Sequence, residues 1–376
     1  MKTYLDKNVY EAALERIAYC FQEFDNVLVA FSGGKDSGVL LNLCYNYADE
    51  HGLLDKLTMY HLDYEAQYQM TTEYVTRTFL EQFPGIRKMW YCVPIKAQSA
   101  CALGEPYWTP WDAAKKKLWV RAMPENPYVV HEGNLDVPFR HGMVDYEFQD
   151  KLSRHFAKKR GTTAVMVGLR ADESLNRYAA VARGKKRRSY EGRKWITQTS
   201  AVTANVYPLY DWRVSDIWTA TARFGFDYNR LYDLLYQAGL TAGQMRVASP
   251  FNDCAQESLK LYKVIDPSNW ARMIGRVNGV NFTGLYGGTT AMGWKTIKLP
   301  PGHTWKSYYE FLLSTMDART AAHYNNILEK SKRYWMQGGT VDPGTADEVL
   351  AAYPLAAVTG KSGRYDGRDI VQFMGY

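Results

Sequence analysis

The sequence predicts an α/β protein: a doubly wound, mostly parallel five-stranded sheet followed by a mainly helical C-terminal region. Three observations carry this expectation. Through the first half of the chain, short apolar runs alternate with segments of helical periodicity, the pattern of a parallel sheet covered on both faces. The first run, Val27-Leu28-Val29-Ala30-Phe31, opens directly into Ser32-Gly33-Gly34-Lys35-Asp36-Ser37. Beyond Cys254 the alternation ceases and helical spacing prevails.

Residues 1–26 read as an amphipathic helix, with Tyr10, Leu14, Ile17 and Phe21 on one face. The Val27–Phe31 run predicts a buried strand. Val39, Leu40, Leu43 and Tyr47 predict a helix over it, from Ser37 to about Glu50. A strand, a glycine turn and a helix together make a phosphate site. Gly33 and Gly34 admit backbone angles closed to other residues, so successive amides can point into one concavity. The helix N-terminus adds free N–H donors and partial positive charge. Ser32 and Ser37 offer hydroxyls, Lys35 a cation, and Asp36 an acceptor for a metal ion or an amide. Neither G-x-x-x-x-G-K-[ST] nor G-x-G-x-x-G stands at this turn.

Strands follow at Leu57–Leu62 and Arg87–Val93, with a helix at Gln67–Gln82 between them. Asp63, at the end of its strand, can accept from a ribose hydroxyl or an adenine amine; the alternative is a helix cap or a solvated turn acid. Residues 101–145, rich in Trp, Pro and Gly, break the alternation and read as an insertion or lid. His131 and His141 have no partner at metal spacing and read as surface or hydrogen-bonded histidines.

A helix at Phe148–Arg160 leads into a strand, Thr163–Val167, and then into Gly168-Leu169-Arg170-Ala171-Asp172-Glu173-Ser174-Leu175-Asn176-Arg177. Gly168 would let backbone approach a nucleotide. Arg170 and Arg177 could fork onto phosphate or sulfate oxygens. The basic run of Arg183, Lys185, Lys186, Arg187 and Arg188 has three readings: a solvated loop, a cover over an anionic substrate, or a nucleic-acid contact. Pro208 ends a further strand, and Trp212 and Trp218 read as packing for the helix Val214–Phe224. Farther on, a Gly-rich break at Gly279–Gly293 precedes helical stretches at Trp305–Leu313 and Thr320–Trp335. Two domains are expected, 1–250 and 251–376.

Composition narrows the function classes. The net charge of +7 over 376 residues suits an anionic ligand and does not demand nucleic acid. Five scattered cysteines, none in C-x-x-C, argue against a disulfide framework, a zinc ribbon or an iron–sulfur cluster. No apolar run approaches a membrane span. The first residues lack the apolar segment of a signal peptide, so a cytoplasmic location is expected.

The S-G-G-x-D-S string resembles the pyrophosphate loop (PP-loop) of the ATP pyrophosphatases and their relatives, the phosphoadenosine phosphosulfate (PAPS) reductases. The stretch Gly168–Arg177 resembles the G-x-R-x-x-[EQ]-S-x-x-R element of the same proteins, and Pro208-Leu209-Tyr210-Asp211-Trp212 with Asp216-Ile217-Trp218 resembles another. The later block WKSYYEFLLST…YNNILEKSKRYW resembles the subgroup that includes the prophage co-activator IbrA. The resemblance implies an adenine nucleotide alpha-hydrolase-like fold, ATP or PAPS as ligand, Mg²⁺ held by Asp36, and a ParB-like partner. It puts Ser32, Gly33, Gly34, Lys35, Asp36, Ser37, Asp63, Gly168, Arg170 and Glu173 at the nucleotide, with Lys35, Asp36, Arg170 and Arg177 catalytic. Three functions stay open: ATP cleavage between the α- and β-phosphates, sulfonucleotide reduction, and nucleotide sensing without turnover. Reduction needs a thiolate, and Cys254 is the only late cysteine.

Overall fold

A computed structural model describes residues 6–102, 105–182, 189–247, 249–252, 255–287, 289 and 300–326. The basic run Arg183–Arg188 and Cys254 lie outside the described residues, as does the chain from Ile327 onward. The chain forms two compact units. The first comprises the residues up to Ala97, Trp108–Pro250 and Leu261–Arg276; the second comprises Gln98–Tyr107, Phe251–Lys260 and the residues from Val277.

The first unit is built on an eight-stranded sheet. Its strands are β1 (Asn26–Ala30), β2 (Leu57–Leu62), β3 (Arg87–Cys92), β4 (Val129–His131), β5 (Thr163–Val167), β6 (Ser189–Tyr190), β7 (Arg193–Gln198) and β8 (Thr203–Val206). Their spatial order is β4-β3-β2-β1-β5-β8-β7-β6. The first six in that order are parallel, and β7 runs antiparallel to both its neighbours. The sheet is therefore α/β and mostly parallel, but with eight strands instead of five. The three additional strands carried no usable pattern. β4 and β6 have three and two residues, and β7 is the polar stretch RKWITQ. With β4, the 101–145 insertion supplies a sheet edge.

Side chains alternate between the two faces, as the pleat requires. Val27, Val29, Met59, Trp90, Ala164 and Met166 face one core. The helices α1 (Val9–Glu23), α2 (Lys35–Glu50), α3 (Gln69–Leu80) and α6 (Val214–Phe224) contribute to that core through Ile17, Leu40, Phe79 and Ile217. Leu28, Tyr60, Tyr91 and Val165 face the other, filled by Phe148, Leu152 and Phe156 of α4 (Asp145–Arg160), and α5 (Leu175–Ala182) follows β5 in the chain. Each such side chain contributes roughly 1.5–3 kcal/mol by leaving water. The helix α1 starts on a capping box between Asn8 and Glu11. Its Arg16 forks onto Asp211 at 2.8 and 2.6 Å and reaches the Pro208 carbonyl at 2.7 Å. Trp212 donates to the Val9 carbonyl at 2.9 Å. The Pro208–Trp212 element is thus a clamp that fastens α1 to the sheet.

In the second unit, Val280–Tyr286 is a helix, so the expected break from Gly279 is corrected. Gly279 has φ 78°, and a Cβ there would lie 1.9 Å from the Cys101 carbonyl oxygen; it is a helix start that only glycine fits. A further helix covers Trp305–Ser314, capped by Thr304 and Ser307. Among the described residues no helix is long and apolar enough to cross a membrane.

Candidate functional site

The strand order reverses at β1. Its sequential successor β2 lies on one side and β5 on the other. In an open parallel sheet, ligands bind beyond the strand ends at such a switch point. Ala30 pairs with Val167, so the glycine loop after β1 and the Gly168 segment after β5 leave the sheet side by side. The two motifs, more than a hundred residues apart in the chain, are joined by this register.

Gly33 adopts φ 77°, and a Cβ there would stand 2.9 Å from Val75 Cγ2. Gly34 is the N-cap of α2. The two serines brace the loop. The Ser32 amide donates to Ser37 Oγ at 3.1 Å, the two hydroxyls are 2.9 Å apart, and Ser37 Oγ donates to the Gly34 carbonyl at 3.1 Å. The expected convergence of all the loop amides on one ligand is thereby corrected. The Ser32 amide is used internally, and the Lys35 amide donates to the Tyr232 hydroxyl at 3.1 Å. Among the described residues, the amides of Gly33, Asp36 and Ser37 have no hydrogen-bond acceptor. Three donors at the start of one helix are therefore left without a protein acceptor among the described residues.

Lys35 is buried, with Nζ 3.1 Å from Asp36 Oδ2 and 3.4 Å from the Met245 carbonyl. Arg170, also buried, donates from Nε to Asp36 Oδ1 and from Nη1 to Asp172. Burial alone would lower the Arg170 pKa, but Asp36 and Asp172 outweigh it and hold the guanidinium firmly charged. Gly168 packs against α2 instead of standing open. A Cβ there would lie 3.0 Å from the Asp36 carbonyl carbon and the Ser37 nitrogen. Its small size lets the β5 exit touch the first turn of α2, which brings Arg170 onto Asp36. Farther out, Glu173 bridges Arg177 at 3.2 Å and Arg246 at 3.5 Å.

Both Asp36 oxygens thus meet cations. Among the described residues no group of three or more His, Cys, Asp or Glu side chains could hold a metal ion. With Lys35 on one oxygen and Arg170 on the other, Asp36 does not fit as a magnesium ligand. Asp63 is also corrected as a nucleotide contact. It is fully buried, receives Trp90 Nε1 at 2.7 Å and the Glu65 amide at 2.8 Å, and is ion-paired to Arg121. Burial would raise its pKa, yet Arg121 and the hydrogen bonds hold it below the usual carboxylate range. No oxygen is left for a ligand.

Four residues, three at the loop and one beside Glu173, have no role in the sequence analysis. Asn229 Nδ2 donates to the Gly33 carbonyl at 3.2 Å, and Tyr232, Met245 and Arg246 make the contacts above. No motif names them; a hundred and ninety or more residues separate the first three from the loop residues they touch. Burial pushes the thiols of Cys20, Cys44 and Cys92 well up, and that of Cys101 up to about 11. None of these four is a poised thiolate.

Residues 26–238 match the phosphoadenosine phosphosulfate reductase domain. The chain belongs to that family. Residues 239–376 match a domain of unknown function, DUF3440. A relative in Escherichia coli K12, the uncharacterized protein YbdN, is 34% identical over 353 residues, covering 93% of this chain and 85% of the relative. Among solved structures, PAPS reductase from Candida auris, as a phosphate complex, aligns at 13% identity and a TM-score of 0.33, over 62% of this chain and 93% of that one. FMN adenylyltransferase from Candida glabrata, with FAD and inorganic pyrophosphate, aligns at 14% identity and a TM-score of 0.36, over 61% and 64%. Membership in this family marks the chain as an enzyme-type nucleotide-binding protein and leaves its reaction open.

Proposed function

We propose that the first unit binds ATP with its β- and γ-phosphates at the Ser32–Ser37 loop and cleaves the bond between the α- and β-phosphates. The observation that supports this most is the trio of amides at Gly33, Asp36 and Ser37 that find no acceptor among the described residues, flanked by Lys35 and Arg170 at the switch point. An acceptor hydroxyl or water attacks the α-phosphorus. The bond to the bridging oxygen breaks, and pyrophosphate leaves with its electron pair. The loop amides and Lys35 meet the charge that develops on the leaving group; each preorganised donor of this kind is worth about 3–4 kcal/mol. Arg170, held charged by Asp36, faces the α-phosphate, and Arg177 orients the acceptor.

In line with the IbrA-like block, a ParB-like protein is the proposed partner, in phage-related regulation or defence, and the basic run Arg183–Arg188 is a proposed nucleic-acid contact. Purified protein given ATP labelled at the α- and γ-positions, with the partner present, should release pyrophosphate. Release of γ-phosphate alone would overturn the mechanism. The second reading, sulfonucleotide reduction, is favoured by the family and disfavoured by the buried thiols. Thioredoxin-dependent sulfite release that survives Cys254→Ser would restore it.

A further inference from the structure

The segment Asp227–Val247 lies over the phosphate loop, and its contacts form a sequence of attachments. Asn229, itself buried, bonds the Gly33 carbonyl at 3.2 Å and Thr71 Oγ1 at 2.9 Å, and its own Oδ1 receives the Leu231 amide at 3.1 Å. That fixes the start of α7 (Leu231–Gln237) on the loop. Leu231, Tyr232 and Leu235 of this helix are buried, and of these Tyr232 reaches the loop. Its hydroxyl takes the Lys35 amide, and it sits 3.3 Å from where a Gly34 Cβ would be. Its ring stands 5.3 Å from Lys35 Nζ. The hydroxyl therefore occupies the mouth of α2, the position a phosphate oxygen takes at a helix N-terminus.

In the remainder, from Tyr236 to Gln244, the hydrogen bonds are short-range ones within the segment, such as the Gln244 amide to the Thr241 carbonyl. From Tyr236 to Gln244 the side chains are exposed or half-buried. Gly239, at φ 86°, and Gly243 have open space around the position of a Cβ. Only Met245 returns to the core, and its carbonyl contact to Lys35 Nζ is long at 3.4 Å.

We infer that Tyr232 is a latch: α7 closes the phosphate loop with a neutral hydroxyl, and an incoming polyphosphate displaces it. This rests on the phosphate-loop reading above. The exchange is driven by charge. A hydrogen bond from an amide to an anionic oxygen is roughly twice as strong as one to a neutral hydroxyl. Burial raises the Tyr232 pKa, so the hydroxyl stays protonated and cannot imitate the anion. Asn229 serves as the pivot and the Gly239–Gly243 stretch supplies the slack.

The ring of Trp218 meets Tyr232 edge-on at 5.3 Å, so it reports the latch. Inorganic pyrophosphate and ATP are titrated separately into the full chain and into Tyr232→Phe, by calorimetry and by tryptophan fluorescence, with Trp218→Phe as the reference. Tyr232→Phe should bind pyrophosphate roughly threefold to tenfold more tightly, as loss of one net hydrogen bond of about 1 kcal/mol implies. The parent should show a ligand-dependent fluorescence change that Trp218→Phe lacks. Equal or weaker binding by Tyr232→Phe would overturn the latch and make the hydroxyl a bystander or a ligand, while leaving the phosphate site standing. Were Tyr232→Phe not to fold, a parent whose Trp218 signal is unmoved by saturating pyrophosphate would overturn it equally. If neither protein bound pyrophosphate or ATP, the phosphate-site reading would fall, and the latch with it.

Discussion

Two clusters of arginine and carboxylate stand at the carboxyl ends of adjacent strands, and their difference separates scaffold from chemistry. Beyond β2, Asp63 and Glu65 are fully buried. Glu65 takes the Trp111 amide at 2.6 Å, the Val120 amide at 3.0 Å, and Arg276 at 2.8 and 3.0 Å. Every oxygen is matched, and the matches tie the 101–145 insertion and the helix Pro267–Arg276 to the sheet. Beyond β1 and β5 the same residue types form a cluster that is left incomplete. Lys35, Asp36 and Arg170 satisfy one another, but three amides beside them do not find acceptors among the described residues. The carboxylates of the first cluster are spent on the fold, although the buried Arg121 Nε finds no acceptor among the described residues. The second has backbone donors left over at a helix start, where an anion binds.

The comparison breaks first at Glu65. Glu65→Ala strands a buried arginine and should cost about 3–5 kcal/mol, read by urea denaturation; a loss under about 1 kcal/mol would place this cluster outside the scaffold. Lys35→Ala should leave the fold in place and weaken ATP binding by roughly 10- to 100-fold, the worth of one charge-assisted hydrogen bond. Equilibrium dialysis gives the answer, and unchanged affinity would erase the contrast between the two clusters. Gly168→Ala sharpens it. The new methyl group would press on the backbone of α2, costing about 1–3 kcal/mol, with circular-dichroism melting as the measure.

Acid should act through His61, buried on β2 with Nδ1 2.9 Å from the Phe31 carbonyl. Burial lowers its pKa in the fold. The unfolded chain therefore binds the proton more readily. Stability is whole above the ordinary histidine value of about 6.5 and falls as pH drops from there toward the folded value, by up to about 1.4 kcal/mol per pH unit. His61→Asn should show a smaller decline than the parent over that window in urea titrations. The smallest effect is expected at Arg177, whose pair with Glu173 is 41% exposed on the arginine side. Arg177→Ala should change stability by less than about 1 kcal/mol, so any loss of turnover it causes reports on the acceptor and not on folding.

Much of this was legible in the chain itself. The runs at Leu57–Leu62 and Thr163–Val167 are strands with the expected ends, because parallel strands buried on both faces are predominantly apolar. Ser32–Ser37 declared its turn through Gly33 and Gly34, since few other residues tolerate the backbone needed there. Asp63 misled because a carboxylate at a strand end looks the same whether it faces a ribose or an arginine. What distinguishes the cases is Arg121, and nothing local announces it.

The residue order alone determined the alternating α/β pattern, the glycine turn and the cation beside it, all of which arise from backbone sterics and from side chains a few positions apart. Only the folded chain decided which charges are spent on one another and which backbone donors are left over. It set Gly168 against α2, enclosed Asp63, and laid Tyr232 across the loop. Those outcomes depend on parallel register and on contacts between residues far apart in sequence, where hydrogen-bond saturation is settled by geometry and not by residue type.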